Sequence, residues 1–405
     1  MSSIVVNGDT SGSVTLSAPA VAGSVTVTLP STSGTMAVTA GSPSFTDITA
    51  TGNLTVNGNT TLGDASTDTI LMTGAPSIGG AGLGMGFGFR NRIINGAMGI
   101  WQRATSYNMT ASWAYGSVDR WTSTSSPSTN GVFNRSTSVP TGFQYSVQMG
   151  RTAASSATSP IQCTQAIESV NCYDLAGQTV TLSFWAKAGA NFSASGNILG
   201  SQIGTGTVAD QAASNFYSWT GGVQQNQNNT ITTTWTRYTH TVTIASNVLE
   251  VGINFYYTPT GTAGADDNVY ITGVQLEKGS TATSFDYRPY GTEFALCQRY
   301  YETYSNGTGT GAIYEGITGN FATTAVFRGF VPFKVTKRAS PSVTVPTTYT
   351  TINWSGGNIT PSSGGSNFSS VEGASINFTT STVVAGQAAT AGISSSAPVI
   401  ISAEL

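Results

Sequence analysis

Apolar residues in this chain alternate with hydroxyl and amide residues in short runs, which is the period of a half-buried strand. Residues 179–187 (TVTLSFWAK) place Val180, Leu182, Phe184 and Ala186 on one face and Thr179, Thr181, Ser183, Trp185 and Lys187 on the other. Residues 249–257 (LEVGINFYY) repeat the pattern, with Leu249, Val251, Ile253, Phe255 and Tyr257 inward and Glu250, Asn254 and Tyr256 outward. Residues 269–276 predict a closing strand in which Gly273 shifts the alternation as a bulge would. Further strands are expected over 325–333 and 342–345. One segment has helical spacing: 292–304 sets Phe294, Cys297, Tyr300, Tyr301 and Tyr304 on one side, with Thr292 as N-cap.

The chain changes character along its length. Residues 1–41 contain an echo, GSVTL at 12–16 and GSVTV at 23–27, each a five-residue strand pattern with one apolar edge. Strands that short need sister strands to bury that edge, so 1–41 is expected to be a β-segment used for attachment. Residues 42–88 keep sparse apolar positions (Ile48, Leu54, Val56, Leu62, Ile70) among Thr, Gly and Asn, and end in the glycine-rich run GGAGLGMGFG. Residues 89–290 hold the long alternating strands, and 291–405 combine the helix with short strands and Gly/Ser loops such as NWSGGN and SSGGSN.

Charged residues make up 8% of 405, far below the roughly 25% usual for soluble domains, and the net charge is −3. Solubility must therefore come from a hydroxyl and amide surface. Such a surface suits sugar contact and argues against nucleic acid, which demands clustered Lys and Arg. The loose cluster Lys334, Lys337 and Arg338 is expected to be a solvated strand end. No apolar run reaches the roughly 18–20 residues of a membrane helix, and no basic-then-apolar export signal opens the chain. Cys163, Cys172 and Cys297 are an odd set, expected to stay as buried thiols.

Chemistry is sparse. The single histidine, His240, sits mid-strand, where a partly exposed cross-strand role is expected. There is no zinc spacing and no phosphate loop, and with no further histidine a hydrolytic triad has no base. A carboxylate pair of the glycosidase kind would have to come from a few scattered acids, none in a context that suggests a cleft. No enzymatic activity is expected. Candidate glycan contacts are aromatics beside amides: Trp185 and Tyr256 on outward strand faces, Phe216, Tyr217 and Trp219 beside the amide-rich stretch 224–229, and Tyr349, Trp354 and Phe368 with Asn353, Asn358 and Asn367 in C-terminal loops.

Two blocks carry a resemblance. RIINGAMGIWQRATSYNMTASWAYGSVDRW at 92–121 and YITGVQLEKGSTATSFDYRPYGTEFALCQRYY at 270–301, with Asn95-Gly96 as a tight turn, together resemble tail-fibre and receptor-binding proteins of tailed bacteriophages. The stretch ATGNLTVNGNTTLGD resembles stalk segments of trimeric phage fibres, and 89–290 looks like the jelly roll of carbohydrate-binding modules. The resemblance implies an all-β homotrimer: a virion-attachment β-segment at 1–41, a trimeric stalk or linker at 42–88, a jelly-roll β-sandwich at 89–290, and a linking helix with a β-rich receptor-binding domain at 291–405. Its partners would be other tail or baseplate proteins, through the N-terminus, and host cell-surface polysaccharide. No cofactor is expected beyond the structural Ca²⁺ that many jelly-roll modules carry. Its oxygen ligands would come from near Asn95, with Asp119 or Glu277, although spacing alone does not indicate such a site. The alternatives are an architectural tail, baseplate or collar protein that binds other virion proteins and, less favoured, a glycan-depolymerising tailspike.

Overall fold

The computed structural model describes residues 3–7, 13–17, 77–78, 81–82, 89–125, 131–213, 216–305, 316–348, 350–381 and 383–405. The chain divides into two units, 1–71 and 72–405, each taken by itself. In the first, β1 (Ser3–Asn7) and β2 (Ser13–Ser17) form an antiparallel hairpin that sets Ile4 opposite Leu16 and Val6 opposite Val14. The second copy of the echo, 23–27, and most of the expected stalk lie outside the described residues. The second unit opens with the short pair β3 (Ser77–Ile78) and β4 (Ala81–Gly82).

Ten strands then build two five-stranded antiparallel sheets. They are β5 (Thr122–Thr124), β6 (Gly131–Ser136), β7 (Ser146–Arg151), β8 (Ile161–Ile167), β9 (Thr179–Ala188), β10 (Ile198–Gly206), β11 (Val223–Thr230), β12 (Thr236–Thr243), β13 (Glu250–Tyr257) and β14 (Asn268–Lys278). The orders are β11-β10-β13-β8-β5 and β12-β9-β14-β7-β6, so the chain crosses repeatedly between sheets in jelly-roll fashion. Their inner faces meet in one core that includes Trp121, Phe133, Phe184, Ile203, Phe255 and Leu276. The alternation of 179–188 and 269–276 is as expected. Gly273 sits at φ +62 where the β9–β14 register slips between Thr272 and Gln275, which makes it the anticipated bulge. Leu249 departs from its expected inward place, because it precedes β13 and is exposed.

The turn at Asn95-Gly96 is present, with Asn95 left-handed at φ 57, but no hairpin flanks it. Instead this segment lies along β14: Arg92 N donates to Leu276 O at 2.9 Å and Val274 N to Gly96 O at 2.9 Å. A Cβ at Gly96 would collide with the Val274 carbonyl.

Helix α1 spans Tyr290–Gln298, starting at Pro289 and not at Thr292. It also ends sooner than its spacing suggests. Residues 301–304 leave the helix to form β15 (Tyr301–Tyr304), which pairs with β24 (Val399–Ser402) nearly a hundred residues away. The small sheet β15-β24-β18 includes β18 (Ser342–Thr344). Opposite it stands a seven-stranded sheet, in the order β20-β19-β23-β16-β17-β22-β21. Its members are β16 (Ile317–Thr323), β17 (Val326–Pro332), β19 (Thr350–Trp354), β20 (Gly357–Ile359), β21 (Ser363–Ser369), β22 (Gly373–Thr379) and β23 (Ala388–Ile393). Phe321, Phe327, Phe378, Ile352 and Ile401 fill the core between the two sheets.

The basic cluster at 334–338 is built into the structure. Lys337 is fully buried and salt-bridged at 2.6 Å to the equally buried Glu302, while its ammonium also donates to Gln298 O. Glu302 takes the Lys334 amide as well, and Arg338 donates to the carbonyls of Ala403 and Glu404. All three cysteines are buried and free. Removing one partner of a buried pair strands the other charge, so Lys337→Met should destabilise the protein by about 3–5 kcal/mol. Denaturant unfolding of Lys337→Met beside Lys337→Met/Glu302→Leu checks this, and the double variant should recover part of the loss.

Candidate functional site

The outer face of the sheet β11-β10-β13-β8-β5 carries the side chains that pleating turns away from the core. From β10 these are Gly200, Gln202, Gly204 and Gly206, because Leu199, Ser201, Ile203 and Thr205 point inward. Three glycines in alternate positions leave a trench along the strand that rings from neighbouring segments occupy. Tyr256 of β13 lies over Gly200 at one end, where a Cβ would collide with its ring. At the other end Phe216 covers Gly204 and Gly252, and Trp219 covers Gly206.

Between the two ends, register lines up a row of polar side chains from four strands: Asn226 opposite Gln202, Gln202 opposite Asn254, and Asn254 opposite Thr164. Gln202 Nε2 donates to Asn226 Oδ1 at 2.8 Å, and Asn254 Nδ2 donates toward Gln162 Oε1 and Gln202 Oε1 at 3.3 and 3.4 Å. The Asn254 side-chain oxygen is buried without a partner among the described residues, a vacancy in hydrogen bonding that a hydroxyl donor would fill. Asn226 and Asn228 face solvent along the trench wall. Amides supply both donors and acceptors without charge, the combination that reads a polyol.

The connection 207–222 is tied down over this face. Trp219 Nε1 donates to Ala212 O at 2.9 Å, Thr164 Oγ1 to Ala213 O at 2.8 Å, and Gln224 Nε2 to Phe216 O at 2.7 Å. Near its start, Ser169 Oγ accepts from Asp210 N and donates to Glu250 Oε2, both at 2.8 Å, and Gln211 N also donates to Glu250. Glu250 is fully buried, and burial raises its pKa to about 7 despite the hydrogen bonds from Ser169 and Gln211.

The structure distributes the sequence candidates unevenly. Tyr256 stands at the trench. Phe216 and Trp219 share its face, but at 2% and 5% exposure their rings are spent on glycines and hold the connection in place. Tyr217 lies in the same short turn, 216–218, and its side chain is outside the described residues. Trp185 looks out from the opposite sheet, half-buried between Arg237 and Thr272 and crowding Gly273 with Phe143. Trp354 turns inward, edge-on to Phe321 with centroids 5.7 Å apart, whereas Phe368 is 79% exposed; Tyr349 is outside the described residues. Gln202, Asn254 and the glycines of β10 escape sequence reading because neither their shared face nor their strand order is visible in a linear pattern.

The oxygens considered for Ca²⁺ are engaged by protein donors. Asn95 accepts from the amides of Gly99 and Ile100 and donates to Ile100 O and Asp119 O. Asp119 accepts from Gln102, and Glu277 from Gln275, Thr283 N and Thr283 Oγ1. Among the described residues no group of three or more His, Cys, Asp and Glu converges. His240 is more enclosed than expected, facing inward 3.3 Å from Ser201 Oγ, and burial lowers its pKa.

The two five-stranded sheets make a jelly-roll sandwich. No protein-family model matches the chain, and no curated protein matches it. Among solved structures, the enzymatically active domain of tailspike protein 4 from bacteriophage CBA120 is similar at 16% identity and TM-score 0.30, over 47% of this chain and 22% of that one. A CBM4 structure is similar at 20% identity and TM-score 0.26, over 46% of this chain and 98% of that one. The CBM22 xylan-binding domain from Paenibacillus barcinonensis is similar at 12% identity and TM-score 0.26, over 45% and 97%.

Glu250 binds its proton more tightly in the folded protein than in the unfolded chain, whose carboxylate titrates near 4.5. Its contribution to stability is complete below about pH 4.5 and is lost as pH rises to about 7. Between those values the melting temperature of Glu250→Gln should therefore fall less, or rise more, than that of the wild type; parallel pH profiles would contradict the assignment.

Proposed function

We propose that this chain is a non-catalytic, glycan-binding attachment subunit of a bacteriophage tail fibre, working as a homotrimer on host cell-surface polysaccharide. The observation that carries the reading is the neutral side of the trench over β10, where Asn226 and Asn228 are exposed beside buried Gln202 and Asn254 and the Tyr256 ring closes one end. Sugar rings offer apolar C–H faces and hydroxyl edges, and the trench offers an aromatic ring and neutral donors and acceptors to match. The phage assignment draws on the blocks at 92–121 and 270–301 and on the stalk-like stretch before them. The β-segment at the N-terminus would dock on other tail or baseplate proteins.

Several observations support binding without hydrolysis. The buried carboxylates Glu168, Glu302 and Asp267 are salt-bridged to Arg299, Lys337 and Arg151, and Glu277 is held by Thr283. A glycosidase needs two carboxyls free to act on opposite sides of one bond. No cofactor is called for, since recognition by stacking and hydrogen bonds is complete without one. Each shallow polar site would bind weakly after desolvation, and three copies on one fibre would convert weak sites into firm attachment.

Calorimetric titration with host-surface polysaccharide tests the site. Tyr256→Ala removes the stacking ring and should weaken binding about tenfold, in line with the roughly 0.5–1.5 kcal/mol of an aromatic contact and its lost area. Asn226→Ala should weaken it less, and no new reducing ends should appear. Unchanged affinity in both variants would reject the trench as the site. A wild-type protein that ignores every host glycan yet co-assembles with tail proteins would favour the architectural role.

A further inference from the structure

The seven-stranded sheet turns one face to its core and leaves the other open. On the open side Asn358 of β20 stands opposite Asn353 of β19, Asn353 opposite Thr390 of β23, and Thr390 opposite Thr318 of β16. The line continues beyond Thr318, because Gly319 pairs with Gly329 and so brings Phe330 of β17 alongside. Phe330 is opposite Ser375 of β22, and Ser375 opposite Phe368 of β21. One row thus crosses all seven strands, roughly 30 Å at the usual spacing of about 4.8 Å per strand.

Its two ends differ in chemistry. Asn358, Asn353, Thr390 and Thr318 make a neutral ladder of amides and hydroxyls. Phe330 and Phe368, 58% and 79% exposed, stand one strand apart, roughly 10 Å by the same spacing. Phe330 rests on Gly373, where a Cβ would collide with the ring, so the strand beneath it is shaped to hold it. In the adjacent row Arg328 is exposed between Asn320 and Asn377 and makes no ion pair among the described residues. Neither row carries a carboxylate. The face therefore offers two stacking rings, a polar ladder and one unopposed positive charge.

We propose that this open face binds an extended acidic polysaccharide laid across the strands. The two phenylalanines take the apolar faces of two sugar rings, the Asn/Thr ladder pairs with hydroxyls further along the chain, and Arg328 takes a carboxylate of the polymer. The charge decides the occupant: a face with a lone exposed guanidinium and no acid complements a sparsely anionic ligand. A second copy of this chain would have to meet the amide ladder with matching partners, and it supplies few carboxylates for Arg328 in a protein with 18 acids in 405 residues. The proposal rests on the glycan-binding reading of the protein but not on the trench of the sandwich.

Affinity electrophoresis of the full-length chain in gels containing polygalacturonate or neutral dextran, with light scattering in parallel, tests it. The wild type should be retarded by polygalacturonate more than by dextran. Phe330→Ala/Phe368→Ala should lose at least tenfold in affinity for polygalacturonate, and Arg328→Gln should lose the salt-sensitive part. Because the substituted side chains are exposed, melting temperatures should stay near the wild-type value. Wild-type retardation in the double variant would overturn the proposal. A reduced mass by light scattering in that variant would also overturn it, by showing that the face joins copies of the chain. Absent polygalacturonate binding with Tyr256-dependent binding of host polysaccharide intact would overturn this proposal alone, whereas loss of both would reject glycan binding altogether.

Discussion

The second unit depends on a buried ionic joint that captures the end of the chain. Glu404 is salt-bridged to Arg103 at 2.8 Å and to Arg120, and both arginines stack on neighbouring rings: Arg120 lies 3.5 Å from the Tyr300 centroid and Arg103 lies 3.6 Å from that of Tyr301. Tyr300 donates to Glu168 at 2.9 Å, and Arg299 holds the same carboxylate with two hydrogen bonds. Burial pushes the Glu168 pKa up, but the donors from Arg299 and Tyr300 outweigh it and leave the group below its ordinary value. The residues just before Glu404 form β24, the central strand of its sheet, so holding the chain end also orders the C-terminal domain against the sandwich. Such clusters gain little net energy after desolvation, but they penalise every arrangement that leaves a charge unpaired. Their value is a single relative placement of the two β-domains.

This joint also explains where a charge-poor protein spends its charges. Among the described residues, eight of its 15 Lys and Arg residues are in salt bridges, several of them buried. Arg151, for example, pairs with buried Asp267 and donates to the carbonyls of Ala157, Thr260 and Gly261, tying together loops that have no shared ladder. The two faces proposed for binding are left almost entirely to amides and hydroxyls.

The sandwich strands were legible because one buried face imposes a period of two, and the bulge at Gly273 was legible because a glycine interrupts that period. Other features depended on pairings between distant residues. Tyr301 and Tyr304 suit a helix face as well as a strand, and the choice is made by β24. Lys337 looks like a surface cation until Glu302 is placed beside it. The blocks at 92–121 and 270–301 stood out in the sequence, yet much of their distinctive content, Arg103, Asp119, Arg120, Arg299 and Tyr300, serves the joint and not a ligand surface. Candidate aromatics divided on exposure: Phe368 is exposed and Tyr256 half-buried, whereas Phe216 and Trp219 are buried over the glycines of the same outer face as Tyr256 and Trp354 packs edge-on to Phe321.

The same local device recurs on two unrelated sheets. Tyr256 over Gly200 and Phe330 over Gly373 each set an aromatic ring on a strand neighbour that has no side chain. A Cβ at either glycine would lift the ring or turn it aside, so the missing side chain helps to fix the orientation of the ring. A ring held in this way has already lost much of its rotamer freedom before a ligand arrives, which lowers the ordering cost of stacking. On the proposed glycan-binding reading, restraint built in ahead of binding is a source of affinity that needs no added charge. It is also compatible with strands whose other positions are committed to amides.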